Sequence, residues 1–374
     1  PKVGNEIFQR IVSSEPNLQV SFQSQWKSAQ FEGNQWTLIF ERDGQIHTAY
    51  APILIDATEL GDVAASLGLP YRLGMDARTD IGEEFAPERG NDIVQDLTYV
   101  VTLKDYGKGS DQTIPKPANY DPAEFACACA HADPITDNAP TLDCDKMLGY
   151  GKLPNGKYMI NWPNCGNDHY VNLVELSEEE RKLELEKAKQ TSLRFVYYIQ
   201  NELGYKHLGI AKDEYPTEDN LPMIPYHRES RRFYGLVDFT LPYVRNTYDA
   251  PNPLYRTGVA VGDYTIDHHH KKNLNAPEID FIKIRVPSYN VPLGALIPKN
   301  HPALILAEKS ISVSNIVNGA SRLQPVVLGI GHAAGVLASI TSKNSKRLDE
   351  ISIRQVQLGL LNQGAYIMPF LDIN

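Results

Sequence analysis

The strongest constraint on this chain lies near its end, in a strand–turn–helix unit. Ala303-Leu-Ile-Leu-Ala307 is a short apolar strand, Ser310–Ser321 is a polar, Gly-containing crossing, and Arg322–Thr341 reads as a helix. Pro325 is tolerated there because a first-turn amide has no intrahelical partner to lose. Gly329, Gly331, Ala333, Ala334 and Gly335 run along the helix, and side chains this small let it lie close to a sheet or a ligand. The same run looks like a dinucleotide fingerprint. A fingerprint, however, opens a helix straight after a strand, and this one lies mid-helix, so it reads as packing.

Earlier elements follow the same logic. Lys2–Ser13 puts Val3, Ile7, Ile11 and Val12 on one helical face with Phe8 beside it. Leu18–Phe22 alternates like a strand, Gln35–Glu41 is β-rich, and Asp43-Gly44 is a hairpin signal before Gln45–Tyr50. A buried strand, Ala51–Asp56, runs into Ala57-Thr58 and a helix over Leu60–Leu67. Residues 70–175 read as irregular, with a β-like piece at Leu97–Leu103. Ser177-Glu-Glu-Glu180 is a capping box that opens a helix ending near Leu203, before Gly204. A mixed section follows, including 232–237, 263–270 and 281–286.

The 374 residues correspond to two or three domains at ~150 residues each. With 42% hydrophobic and 22% charged residues, twenty Tyr and eleven Phe, the chain can bury a core and is not a disordered one. Forty-six acidic against 36 basic side chains give a formal charge of −10 and no basic stripe, which argues against nucleic acid as a partner. No apolar run is expected to approach the ~20 residues of a membrane span. The chain begins Pro1-Lys2-Val3-Gly4, without Met or an apolar leader, and reads as mature or cropped.

Chemistry-bearing residues fall into three groups. Cys127, Cys129, Cys144 and Cys165 match no zinc spacing and read as buried thiols, or as disulfides in an oxidising compartment. No metal site is expected. In Asp267-His268-His269-His270, an extended backbone would set Asp267 and His269 on one side, where the carboxylate could orient the imidazole. His227-Arg-Glu-Ser-Arg-Arg232 is either an ion-pair cluster or a place where Arg228 or Arg231 meets an anionic or polar ligand. No G-x-S-x-G, P-loop or H-E-x-x-H motif occurs, which weighs against serine hydrolases, nucleotide hydrolases and zincins.

Six stretches in order, 53–64, 227–235, 261–269, 291–299, 303–314 and 318–325, resemble the FAD-dependent oxidoreductase family of glutathione-reductase-like fold, some members of which are labelled xanthan lyase. The resemblance implies an α/β three-layer FAD-binding domain with an inserted α+β substrate domain. The implied boundaries are 1–70 and 286–345 for the FAD domain, 71–285 for the insert, and 346–374 for an extension. The family's N-terminal G-x-G-x-x-G portion has no counterpart in these residues, so the chain reads as a member lacking it. By resemblance, Ala57, Thr58 and Glu59 form the turn beside the cofactor, with Glu59 where Gly is common. Glu308, Ser310 and Ile311 would pass near its ribityl chain or pyrophosphate. Gly319 and the amides near Arg322, Leu323 and Gln324 would face the flavin pyrimidine. The implied reaction is hydride transfer from a small substrate, such as a sugar or sugar-derived alcohol, to flavin. Asp267 and His269 would be the proton-abstracting pair, with Arg228 and Arg231 binding substrate or supporting the flavin loop. A bacterial periplasmic or secreted setting accompanies the resemblance. Two other readings stand beside it: a cofactor-free binding module stacking ligands on Trp162, Tyr158, Tyr170 and Tyr243, and a metal-dependent hydrolase using the His triplet.

Overall fold

A computed structural model describes residues 1–129, 143–163, 165–249, 253–279 and 284–369. The elements are α1 (Lys2–Ser14), β1 (Ser24–Glu32), β2 (Gln35–Arg42), β3 (Gln45–Ala51), β4 (Leu54–Asp56), α2 (Asp62–Ser66), β5 (Tyr71–Arg72) and α3 (Arg78–Ile81). They continue with β6 (Leu97–Thr98), β7 (Val101–Asp105), α4 (Cys144–Tyr150), β8 (Lys152–Leu153), β9 (Lys157–Ile160), β10 (Asp168–His169), α5 (Glu178–Asn201) and β11 (Leu208–Ile210). The remainder are β12 (Arg232–Phe233), α6 (Leu241–Arg245), β13 (Gly258–Gly262), β14 (Tyr289–Pro292), β15 (Leu304–Leu306), α7 (Asn315–Ser321), α8 (Gln324–Asn344) and α9 (Ile353–Asn362).

The chain divides into two compact units. One holds 1–20, 95–227 and 269–276; the other holds 21–94, 228–268 and 277–374. Of the 71–285 expected of an insert, 95–227 and 269–276 lie in the first unit, whereas 71–94, 228–268 and 277–285 lie in the second; 1–20, expected in the FAD domain, lie in the first.

In the first unit, strands run antiparallel in the order β11-β7-β9-β8. Leu103 of β7 and Ile160 of β9 share a core with Phe195 and Ile199 of α5. The capping box forms as expected: Ser177 Oγ accepts from the Glu180 amide, and the Glu180 carboxylate accepts from the Ser177 amide. All four cysteines are paired, Cys127 with Cys165 and Cys129 with Cys144. The bridges join residues 38 and 15 positions apart, a link that local sequence does not show. The expected helix at the start is α1, but its apolar face (Val3, Ile7, Phe8, Ile11) is exposed.

In the second unit, β1-β2-β3 form an antiparallel meander. The expected strand at 18–22 is absent among the described residues; it finds no ladder partner, and the first strand starts at Ser24. Next to the meander in sequence, β4 pairs with β15 in parallel, Leu54 opposite Leu304 and Asp56 opposite Leu306. Helix α8 covers β4, β15 and β13. It has the length and composition of a membrane span, contrary to expectation, but Val326, Ile330, Ala333, Ala334 and Leu337 are buried in the core. The expected polar crossing at 310–321 contains a further helix, α7, capped by Ser314 Oγ, which accepts from the Val317 amide at 3.2 Å.

Candidate functional site

In the second unit the parallel strands β4 and β15 end side by side, at Asp56 and Leu306. Ligands of parallel sheets gather beyond such carboxyl ends. Asp56, 2% exposed, builds the turn after β4. One carboxylate oxygen accepts from the Thr58 amide (2.9 Å) and hydroxyl (2.6 Å), the other from the Ala64 amide (2.7 Å). The residue that must be glycine in this turn is Gly61 rather than position 59. Its φ is +68°, and a Cβ there would lie 2.6 Å from the Phe233 ring and 2.9 Å from Ser310 Oγ.

Glu59 has a different task. With Glu308 it brackets Lys309, whose Nζ stands 2.8 Å from Glu59 Oε1 and 2.5 Å from Glu308 Oε2. Burial works against the Lys309 charge, but the two carboxylates outweigh it and raise its pKa. Glu308 takes φ +59°, a left-handed conformation that costs a β-carbon residue energy and concentrates at functional sites. Ser310 and Ile311 are buried, with Ser310 Oγ 2.8 Å from Ser230 Oγ. Thus Ala57, Thr58, Glu59, Glu308, Ser310 and Ile311 come together around two neighbouring loops.

The arginine cluster is an ion-pair network. Arg231 donates to the Leu60 carbonyl and to Asp62 Oδ1, both at 2.8 Å, and lies over the Tyr71 ring. It braces the 57–62 turn. Arg228 is buried, and its carbonyl accepts from Asn318 Nδ2 at 2.9 Å. Arg232, fully buried, reaches the Gly74 carbonyl, Asp76 and Glu229. Asp76 and Glu229 also receive the amide and side chain of Asn315 at the start of α7. Glu83 accepts from the Leu241 amide at 2.7 Å, and burial pushes its carboxyl up to about 7. Asp76 and Glu83 went unforeseen because single acidic residues in irregular sequence carry no periodic signal.

Gly319 lies on α7, where an added Cβ would come 2.4 Å from the His268 ring and 2.8 Å from the Asp267 carbonyl. Arg322 follows α7 and donates to the Asp267 carbonyl (3.1 Å) and to Asp267 Oδ2 (3.0 Å). Leu323 precedes α8, and no side-chain cap to that helix is present among the described residues; Gln324 in its first turn is exposed.

The Asp267–His269 pairing expected from alternation does not form. Residues 263–270 are not a strand, so alternation does not apply to them. Asp267 is held by Arg322, whereas His269 belongs to the first unit and meets Asp168: Nδ1 to Oδ2, 2.6 Å. The other Asp168 oxygen accepts from the Thr98 hydroxyl. Asp168 was invisible to sequence reasoning because its partner lies 101 positions away in the chain.

Among the described residues no cluster of three or more His, Cys, Asp or Glu side chains is arranged to hold a metal. The cysteines that could have joined one are in disulfides. Trp162 is core, with its indole N–H on the Ala128 carbonyl at 2.8 Å, and offers no stacking surface.

No curated protein and no solved structure matches the chain. Residues 1–360 match a family described as FAD dependent oxidoreductase. The match covers nearly the whole length, both loops at the strand ends and the start of α8. The chain therefore belongs to the FAD-dependent oxidoreductase family.

Proposed function

We propose that this oxidoreductase oxidises a small polyhydroxylated substrate, a sugar or sugar-derived alcohol, and that its own part in holding FAD lies at the carboxyl ends of β4 and β15. The observation that carries the reading is the pair of loops there, 57–61 and 307–311, tied by Glu59–Lys309–Glu308 with Glu308 in a left-handed conformation. Its supports are the parallel strand pair, the adjacent meander and the small-residue helix α8, which suit a glutathione-reductase-like three-layer fold.

The donor set fits the flavin end of the cofactor. A carboxylate such as Glu308 suits ribityl hydroxyls, which donate. First-turn amides of α8, with the positive end of its dipole, suit pyrimidine carbonyls, which accept. Arg322, fixed by Asp267, adds positive charge beside that helix start. No G-x-G-x-x-G loop occurs in the sequence, so these residues supply no comparable cradle for the ADP end. When bound, FAD supplies the hydride acceptor. Arg228 and Arg231 act by supporting the turn and α7 rather than by touching substrate.

The test is FAD uptake by the full chain, followed by anaerobic addition of sugars and polyols. The expected result is bound flavin whose visible absorption bleaches with at least one of them. Glu308→Ala should weaken FAD binding by about tenfold, as expected for a lost charged hydrogen bond. A chain that takes up no flavin, or binds it equally well after Glu308→Ala, contradicts the proposal.

A further inference from the structure

We infer that the loops after β4 and β15 select the uncharged ribityl chain of a flavin against a phosphate group, so that the chain binds riboflavin more tightly than flavin mononucleotide (FMN). The inference rests on the flavin-end reading above and adds to it the charge that this end accepts.

The cation of these loops faces inward. Lys309 is the one basic residue in 57–61 and 307–311, and its side chain is 5% exposed. Its Nζ already donates to Glu59 at 2.8 Å and to Glu308 at 2.5 Å. The outer members of the trio are the carboxylates, with Glu59 32% and Glu308 24% exposed. Asp56 lies beneath them, and Asp62 pairs with Arg231 at 2.8 Å. Four carboxylates therefore stand against two cations around this turn.

The loops also keep their own donors. The Thr58 and Lys309 amides donate to the Asp56 and Glu308 carboxylates, at 2.9 and 3.1 Å. The Gly61 amide donates to the Thr58 carbonyl at 3.2 Å, and the Ser310 amide to the Ala307 carbonyl at 3.3 Å. The Thr58 hydroxyl donates to Asp56. Phosphate cradles work in the opposite way, by aiming backbone amides and a positive dipole or side chain at the ligand.

The chemistry of the ligand follows from this. Phosphate oxygens only accept, and a terminal phosphate brings close to two negative charges at neutral pH. Neither the carboxylates nor the internally bonded amides can serve it. Ribityl hydroxyls are neutral and donate, which is what Glu59 and Glu308 can receive.

The experiment titrates the full chain into riboflavin and into FMN, which differ only by the phosphate, and follows quenching of flavin fluorescence. Riboflavin should bind about tenfold more tightly at low salt, with the difference shrinking at high salt as the repulsion is screened. Equal or tighter binding of FMN overturns the inference. Three variants, each checked for folding by circular dichroism, locate the effect. Glu59→Gln removes one charge at nearly constant shape and should reduce the preference by about threefold. Glu350→Gln should leave it unchanged: Glu350 is exposed and follows Leu348, whose amide bonds the Pro302 carbonyl before β15, at the end of that strand away from the loops. An equal reduction in both variants assigns the preference to the net charge of the whole chain and overturns the inference. So does riboflavin affinity that is unaffected by Glu308→Ala, because the ligand then sits elsewhere. If Glu59→Gln does not fold, the wild-type preference and its salt dependence decide. If neither flavin binds, the flavin-end reading fails and the inference with it. If both bind through Glu308 and FMN is the tighter, that reading stands and the selection alone is overturned.

Discussion

One methyl group at position 61 should be enough to disturb the turn that follows β4. Gly61 sits at φ +68° with Phe233 and Ser310 packed over it, so Gly61→Ala combines a left-handed alanine with a clash. A loss of about 2–4 kcal/mol is expected, measured as a lower urea midpoint with unchanged slope. Gly4, with open space around it, should tolerate the same change within about 1 kcal/mol. Glu83 sets a pH dependence. Its folded pKa of about 7 lies above the ordinary carboxyl value of 4.5, so the folded state holds a proton that the unfolded chain releases. The stability is full below the unfolded value, falls through the interval, and is lost once pH passes about 7, by up to about 3 kcal/mol. Urea titrations across that interval should show the fall in wild type and a flatter profile in Glu83→Gln. Single residues are also where the sequence misleads most. His269 stood out in its histidine run, but its partner Asp168 could not be found from spacing, since two-residue strands and distant segments make the contact. Glu59 and Glu308 were flagged as neighbours of a cofactor, while the lysine that joins them was not.

Elements with local signals were readable. The capping box at Ser177 and the glycine ending at Gly204, φ +79°, mark the helix they were expected to mark. Ser177→Ala should cost about 1 kcal/mol. Short strands without alternation, such as β6 and β10, exist only because a partner segment reaches them, so no window of sequence predicts them. The disulfides are of the same kind. The Cys129–Cys144 bridge closes a loop across a separation of 15 residues, which corresponds to about 3 kcal/mol. Thiol titration of the native protein should find none free, and reductant should lower the midpoint of the first unit. Full thiol reactivity without reductant would contradict the paired cysteines. Helix α8 illustrates the reverse problem: its composition allows a membrane span, and only its packing onto β4, β15 and β13 assigns it to a core.

At the scale of the whole molecule, the chain alternates between its two units, and the histidine run spans the passage from one to the other between His268 and His269. Whole-chain composition gave no sign of this, because it carries no positional information. What the sequence did carry was the order of six family-like stretches. Four of them, around 53–64, 227–235, 303–314 and 318–325, supply side chains to the loops at the strand ends, the network beneath them or the start of α8. The most direct test is hydrogen–deuterium exchange of the full chain with and without FAD. Protection is predicted at 57–61, 307–311 and 322–327. Protection confined to other segments, such as 105–111 and 204–207, would contradict the assignment of the flavin end to the carboxyl ends of β4 and β15.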